Sequence, residues 1–406
     1  MSTPLNISQE ARLLLVGRGL RAFVDGYVAI LLPAYLLELG YGTIEVGLIS
    51  SATLLGSAFA TLLVGTWGYR FQQNQLLFAA ALLMAGTGLG FAALSDFWPL
   101  LVIAFLGTIN PSSGDVSVFL PLEHARLAHV AQGRERTRIF ARYSLTAALL
   151  GSVGALASGM PDGLAEWGID RLFALKFMFG LYALAGFAVW RVYLRLPRPS
   201  PESAAVPAAP LRESRRIVAR LAGLFSIDAF AGGMILQSLL ALWLFQKFDL
   251  SLAAAGTFFF WSGLLSAASQ LLAPWIATRI GLLRTMVYTH IPSSLALIAA
   301  AFATRLEFVL VLLLLRASLS QMDVPTRSAF VMAVVTPAER AAASSYTVVT
   351  RNLASALSPS LGGAMLAAGW LAAPLIACGI LKIVYDVALL RAFGSTRIED
   401  DTSPGS

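Results

Sequence analysis

The chain alternates long apolar runs with short polar breaks. After a polar stretch over residues 1–12, the pattern predicts a first helix from Leu13 or Leu20 to Leu39, which Gly40 and Gly42 break. Further helices are predicted over about 44–65, 76–94, 100–122, 139–160 and 172–194. Residues 195–216, RLPRPSPESAAVPAAPLRESRR, hold five prolines and no apolar period, and read as an extended linker. Six more helices follow, over about 217–246, 250–277, 285–303, 308–335, 342–368 and 371–390. Each run is long enough to cross about 30 Å of hydrocarbon at 1.5 Å per residue. The expected fold class is an all-α polytopic membrane protein with twelve transmembrane helices. Its units are 1–194, a linker over 195–216, a second six-helix unit over 217–393 and a tail over 394–406.

Composition supports a membrane protein with many spans. Of 406 residues, 57% are hydrophobic and only 13% charged, where soluble domains carry about 25% charged residues. The apolar run Leu76–Leu94 excludes a β-barrel, whose strands alternate over about 10 residues. The N-terminus lacks a short apolar region followed by a cleavage site, so no cleaved signal peptide is expected.

The formal net charge is +7. The arginines cluster in short loops, notably Arg126, Arg134, Arg136 and Arg138, and in the linker. This is the positive-inside pattern. It predicts both termini in the cytoplasm, a bacterial inner (plasma) membrane location, and no nucleic-acid partner. The single cysteine, Cys378, excludes an internal disulfide, and no His, Cys and carboxylate cluster has metal-ligand spacing. No phosphate-binding loop and no catalytic constellation are found, so neither an enzyme nor a cofactor is expected. The lipid bilayer, a small solute and protons are the expected partners of a monomer.

The two halves echo one another in order. AFVDGY with Asp25 resembles FSIDAF with Asp228, and GTINPSSGDVSVF with Asp115 is echoed by LSQMDVPTRSAFV with Asp323. FARYSLTAALLGS with Arg142 matches VTRNLASALSPS with Arg351. The turn after the second helix reads GTWGYRFQQ, and its counterpart in the second half reads PWIATRIGL.

These features resemble the major facilitator superfamily over nearly the whole chain. The family's turn motif is roughly G-x-x-x-D-R-x-G-R. Gly65 and Arg70 keep it, while Tyr69 stands at the aspartate position and Gln72 and Gln73 at the Gly and Arg positions. The second copy keeps Arg279 and Gly281, with Thr278 at the aspartate position. The usual fourth-helix arginine is absent, and Asn110, Pro111 and Asp115 occupy that helix. The resemblance implies two pseudo-symmetric six-helix bundles and transport by alternating access.

Charged groups inside apolar helices cost roughly 2.5–3.5 kcal/mol each on an insertion scale and mark functional positions. Asp228 and Asp25 are the expected coupling residues. Asp228 is favoured because no basic residue lies within a turn of it, whereas Arg21 lies one turn before Asp25 and should pair with it. Arg316, deep in its helix, is expected to bind an anionic group or to hold Asp228 charged. Asp115 and Asp323 are expected to pair with Arg142, and with Arg327 or Arg351, as a gate, with Glu123 at the membrane edge. Tyr27, Asn110, Gln237, Tyr143 and Tyr346 are candidate cavity-lining residues, and His290 reads as structural. The leading functional expectation is proton-coupled export (antiport) of a small organic or metal-complexed solute. The alternative is an uptake permease, a proton symporter or a facilitator.

Overall fold

The structure is a computed structural model that describes residues 9–112, 117–130, 133–197, 211–336 and 339–394. The described residues form sixteen α-helices and two short 3-10 turns, with no strand among them. The first eight are α1 (Gln9–Glu38), α2 (Thr43–Trp67), α3 (Gln73–Ala93), α4 (Phe97–Leu106), α5 (Phe119–Val130), α6 (Gly133–Leu156), α7 (Met160–Glu166) and α8 (Arg171–Tyr193). The second eight are α9 (Arg215–Gly233), α10 (Gln237–Phe248), α11 (Leu252–Ile280), α12 (Leu282–Phe302), α13 (Leu306–Ser320), α14 (Asp323–Val334), α15 (Arg340–Ala367) and α16 (Ala373–Phe393). Ten helical segments are long and apolar enough to cross a membrane, counting α6–α7, α9–α10 and α13–α14 each as one.

Three expected helices are broken. The run over 100–122 stops at Leu106 and resumes at Phe119. Gly107 cannot carry a side chain, since a Cβ there would sit 2.5 Å from the Thr87 hydroxyl oxygen. Pro111 lacks the N–H that a continuing helix needs. Asn110 turns its side-chain oxygen back to accept from the Ser112 N–H at 3.0 Å, a local turn that competes with the helix. The run over 217–246 breaks between Gly233 and Gln237, and the run over 308–335 breaks at Gln321 and Met322. The expected turn over 161–170 instead forms the short α7, with Pro161 in its first turn.

Packing divides the helices into two sets. In the first, α1 lies against α6 and α8, α3 against α8, and α2 against α4. In the second, α9 packs on α15 and α16, and α12 packs on α16 and α13. The linker and tail expectations fall largely on residues outside those described, as does Asp115.

The sets meet along two walls, α2 against α15 and α6 against α11. Small residues permit this approach. A Cβ on Gly47 of α2 would lie 2.6 Å from the Pro359 carbonyl of α15, and one on Gly256 of α11 would lie 2.5 Å from the Ala155 carbonyl of α6. Among the described residues, the hydrogen bonds joining the sets lie toward the end opposite the termini. Thr43 donates to the Gly363 carbonyl at 3.1 Å, the Ser360 hydroxyl bonds Ser51 at 2.7 Å, and Ser158 donates to the Leu252 carbonyl at 3.2 Å. One bond joins two helix breaks: the Ser238 N–H, an orphan donor in the first turn of α10, donates to the Pro111 carbonyl at 3.1 Å. Toward the termini no such bond joins the sets among the described residues, and Trp67 of α2 and Tyr346 of α15 are exposed. The bonded end is the shut end and the unbonded one the open end.

Candidate functional site

Each set carries a buried charge cluster where its helices converge. In the second set Asp228 of α9 is the hub. Its Oδ1 lies 2.6 Å from Lys382 Nζ of α16, and its Oδ2 lies 3.2 Å from an Arg327 nitrogen of α14. Arg351 of α15 approaches to 3.9 Å and His290 Nε2 of α12 to 3.7 Å. Arg327 also bonds Asp323, one turn earlier on its own helix, at 2.7 Å. On the far side His290 Nδ1 lies 3.0 Å from Asp386, while Nε2 lies 3.2 Å from Lys382. Five helices thus contribute to one network. Its charges are mutually compensated, as groups at this depth require.

The surroundings of Asp228 differ from those its local sequence implies. It has no basic neighbour within a turn on its own helix, yet three cations reach it from other helices. It is an ion-paired hub, not an isolated carboxyl group. His290 is also more than a peripheral structural residue, since it links Asp386 to the Lys382–Asp228 pair. Lys382 and Asp386 were not among the expected site residues. Their signal is present in KIVYD, a lysine and an aspartate one turn apart on an otherwise apolar helix.

In the first set the hub is Glu123 of α5, fully buried among protein side chains. It pairs with Arg21 and accepts from the Tyr143 and Tyr193 hydroxyls. All three partners belong to the first set, so Glu123 ties α1, α5, α6 and α8 together and makes no gate contact with the second set. Nearby, Arg126 bonds Glu10 at 2.5 Å and the Asn74 side chain. Arg21 is therefore engaged by Glu123 and does not form the expected pair with Asp25. Arg18 lies over the Tyr143 ring at 5.2 Å. Asp25 is left half-buried, with Oδ1 enclosed and accepting no hydrogen bond. The two first-helix aspartates have exchanged their expected characters.

The other expected residues divide similarly. The expected Asp323–Arg327 pair is present, with Arg351 turned toward Asp228, and all of these contacts lie within the second set. Arg142 is half-buried on α6 and makes no ion pair with a described residue; its expected partner, Asp115, lies outside the described residues. Tyr27 and Tyr143 are not cavity-lining. The Tyr27 hydroxyl donates to the Met178 carbonyl at 3.0 Å, between α1 and α8, and Tyr143 is spent on Glu123. Asn110 is buried and shapes its own turn. Gln237 begins α10, beside the bond between Ser238 and Pro111. Tyr346 is exposed at the open end.

Arg316 stands apart. On α13 it shares the stripe of Val309 and Leu313, which are buried, while Phe308, Val311 and Leu315 on the opposite stripe are exposed. Its guanidinium makes no ion pair with a described residue. A charge placed this way costs roughly 2.5–3.5 kcal/mol, and no described carboxylate offsets it.

Comparison with known proteins identifies the fold. Residues 221–405 match the family model of the Major Facilitator Superfamily. The crystal structure of a bacterial homolog to the human lysosomal transporter Spinster, inward-facing and occupied, superposes over 100% of both chains with a TM-score of 0.77 at 14% identity. The fold is that of the major facilitator superfamily. A D-xylose-proton symporter also superposes, over 98% of this chain and 100% of that one, with a TM-score of 0.74 at 13% identity. In sequence, the chain is 24% identical to the uncharacterized membrane protein YJR124C of Saccharomyces cerevisiae, over 95% of this chain and 94% of that protein. This is a multi-pass membrane protein of the major facilitator fold.

Proposed function

We propose that the chain is a secondary transporter that moves a small solute by alternating access, with a proton as the coupling ion and uptake by symport as the direction. The observation carrying this reading is the combination of one closed end, one open end and buried charge clusters between them. Twelve crossings follow if α4 with α5, and α15, are counted beside the ten apolar segments. The crossings then form two bundles, 1–194 and 217–393. With the linker, tail and termini on the cytoplasmic side of an inner membrane, the present state opens inward. The likeness to a proton symporter supports uptake over the export expected from the sequence, and no residue arrangement favours export.

Asp25 is the coupling residue in this reading. A buried carboxyl oxygen without a donor is costly while charged, and binding a proton removes that cost. Asp228, held by three cations, is instead a structural hub. Spin labels at Thr66 and Ser345, both exposed at the open end, report opening in a Cys378→Ala background. The distance distribution is expected to change between about pH 5.5 and pH 8.5, a range set by where a buried carboxyl group can titrate. Asp25→Asn should abolish the change and Asp228→Asn should not. A distribution independent of pH in the parent protein, or full pH response in Asp25→Asn, refutes the assignment.

A further inference from the structure

Around the buried network of the second set stands one cation more than its three carboxylates match. Asp228, Asp323 and Asp386 face Lys382, Arg327 and Arg351, with His290 bridging Asp386 to Lys382. Arg316 belongs to none of these pairs, and no described carboxylate compensates it. Its position is defined by its neighbours. Its backbone carbonyl accepts from Ser293 of α12 at 3.4 Å, and Ser293 lies about one helical turn from His290 of the network. Arg316 therefore stands beside the network, about one turn closer to the shut end, on the inward stripe of α13.

We propose that Arg316 is the anchor for the oxyanion group, carboxylate or phosphate, of an anionic organic solute. This deepens the transport reading and rests on it. A guanidinium presents a planar fork of donors that matches two oxygens of such a group at once. The solute supplies the counter-charge that the chain omits. An empty site carries the uncompensated charge, and an occupied one is neutral. Lys382, already held by Asp228 and His290, is placed to take a second oxygen if its aspartate lets go.

The test uses the detergent-purified full chain and matched solutes: gluconate with glucose, benzoate with benzyl alcohol, and glycerol 3-phosphate with glycerol. Each is titrated against the thermal midpoint. At least one anion is expected to raise the midpoint where its neutral partner does not, and the responding pair separates carboxylate from phosphate recognition. Arg316→Gln should weaken that response roughly 10–100-fold, the loss of one charge-assisted anchor, while Arg316→Lys retains part of it. The unliganded midpoint of Arg316→Gln should not fall, because an uncompensated charge is removed. An equal response to the neutral partner, an undiminished response in Arg316→Gln, or no response to any of the three anions overturns the proposal. Stabilisation by neutral solutes in both proteins would overturn the anion site and leave transport standing. The spin-label distances across pH test transport separately.

Discussion

Gly47→Ala should tip the protein away from the state seen here. A Cβ on Gly47 would lie 2.6 Å from the Pro359 carbonyl oxygen, 3.1 Å from Gly363 Cα and 3.2 Å from Ser360 Cα. All three atoms are backbone of α15, so no side chain can rotate aside. The two helices must separate, and the bond from Thr43 to the Gly363 carbonyl must stretch. Overpacking of this kind costs about 1–3 kcal/mol. The cost exists only while the shut end is shut. The higher helix propensity of Ala, worth about 1 kcal/mol over Gly, acts in both states and cancels. The equilibrium should therefore move by about 5–150-fold toward the alternative state.

Pulsed electron resonance between labels at Thr66 and Ser345 reads this shift directly, because closing the open end brings these positions together. Gly180→Ala on α8 is the control, since a Cβ there meets nothing within 4 Å. Gly256→Ala, on the second wall, should act in the same direction as Gly47→Ala. Distances in Gly47→Ala identical to those in the parent would mean that the α2–α15 approach does not distinguish two states. The alternating-access argument would then lose its geometric basis.

Two further outcomes follow from the clusters. Asp228→Asn removes the 2.6 Å counter-ion of Lys382 and should cost about 3–5 kcal/mol of stability, most of it recovered by adding Lys382→Met; an undiminished thermal midpoint in the single variant, or no recovery in the double, contradicts the pairing. Glu339, between α14 and α15, accepts the N–H groups of Arg212 and Ser214 at 2.6 and 2.9 Å, and these donors hold its carboxyl down at about 2. Because its folded value is depressed, its contribution to stability is complete above about 4.5 and disappears as the pH falls through about 2. Glu339→Gln should flatten the acid side of the midpoint-against-pH curve in that window and leave neutral pH less affected.

The helices were legible because hydrocarbon demands apolar runs of fixed length, and the chain shows them directly. The breaks were only half legible. Pro111 and Gly107 announce one, yet the break before Gln237 rests on packing against the other set, where the Pro111 carbonyl meets the Ser238 N–H. No local pattern in MILQS records a partner lying far away in the chain. The expected Asp323–Arg327 pair was readable for the opposite reason: its partners are one turn apart, so helix geometry alone brings them together.

Asp25 and Asp228 show where such reasoning stops. Their local sequences pointed to a paired Asp25 and an isolated Asp228, and the folded chain reverses both. A helix neighbour one turn away can reach a side chain, but it can equally reach across to another helix. Arg21 does so, because Glu123 is buried beside it and a buried carboxylate needs a cation. Asp228 receives Lys382, Arg327 and Arg351 from three helices that the sequence separates widely. In a helical membrane bundle the decisive electrostatic partners are mostly inter-helical, because apolar faces leave few charged neighbours on any one helix. An inventory of charges by depth is therefore more informative than an inventory by sequence distance. Taken by depth, the second set balances its carboxylates with three cations and leaves Arg316 over, while the first set leaves an oxygen of Asp25 without a donor. Arg316 and Asp25 have opposite sign and lie in different sets. In the proposed transport reading, a solute anion and a proton would satisfy both together.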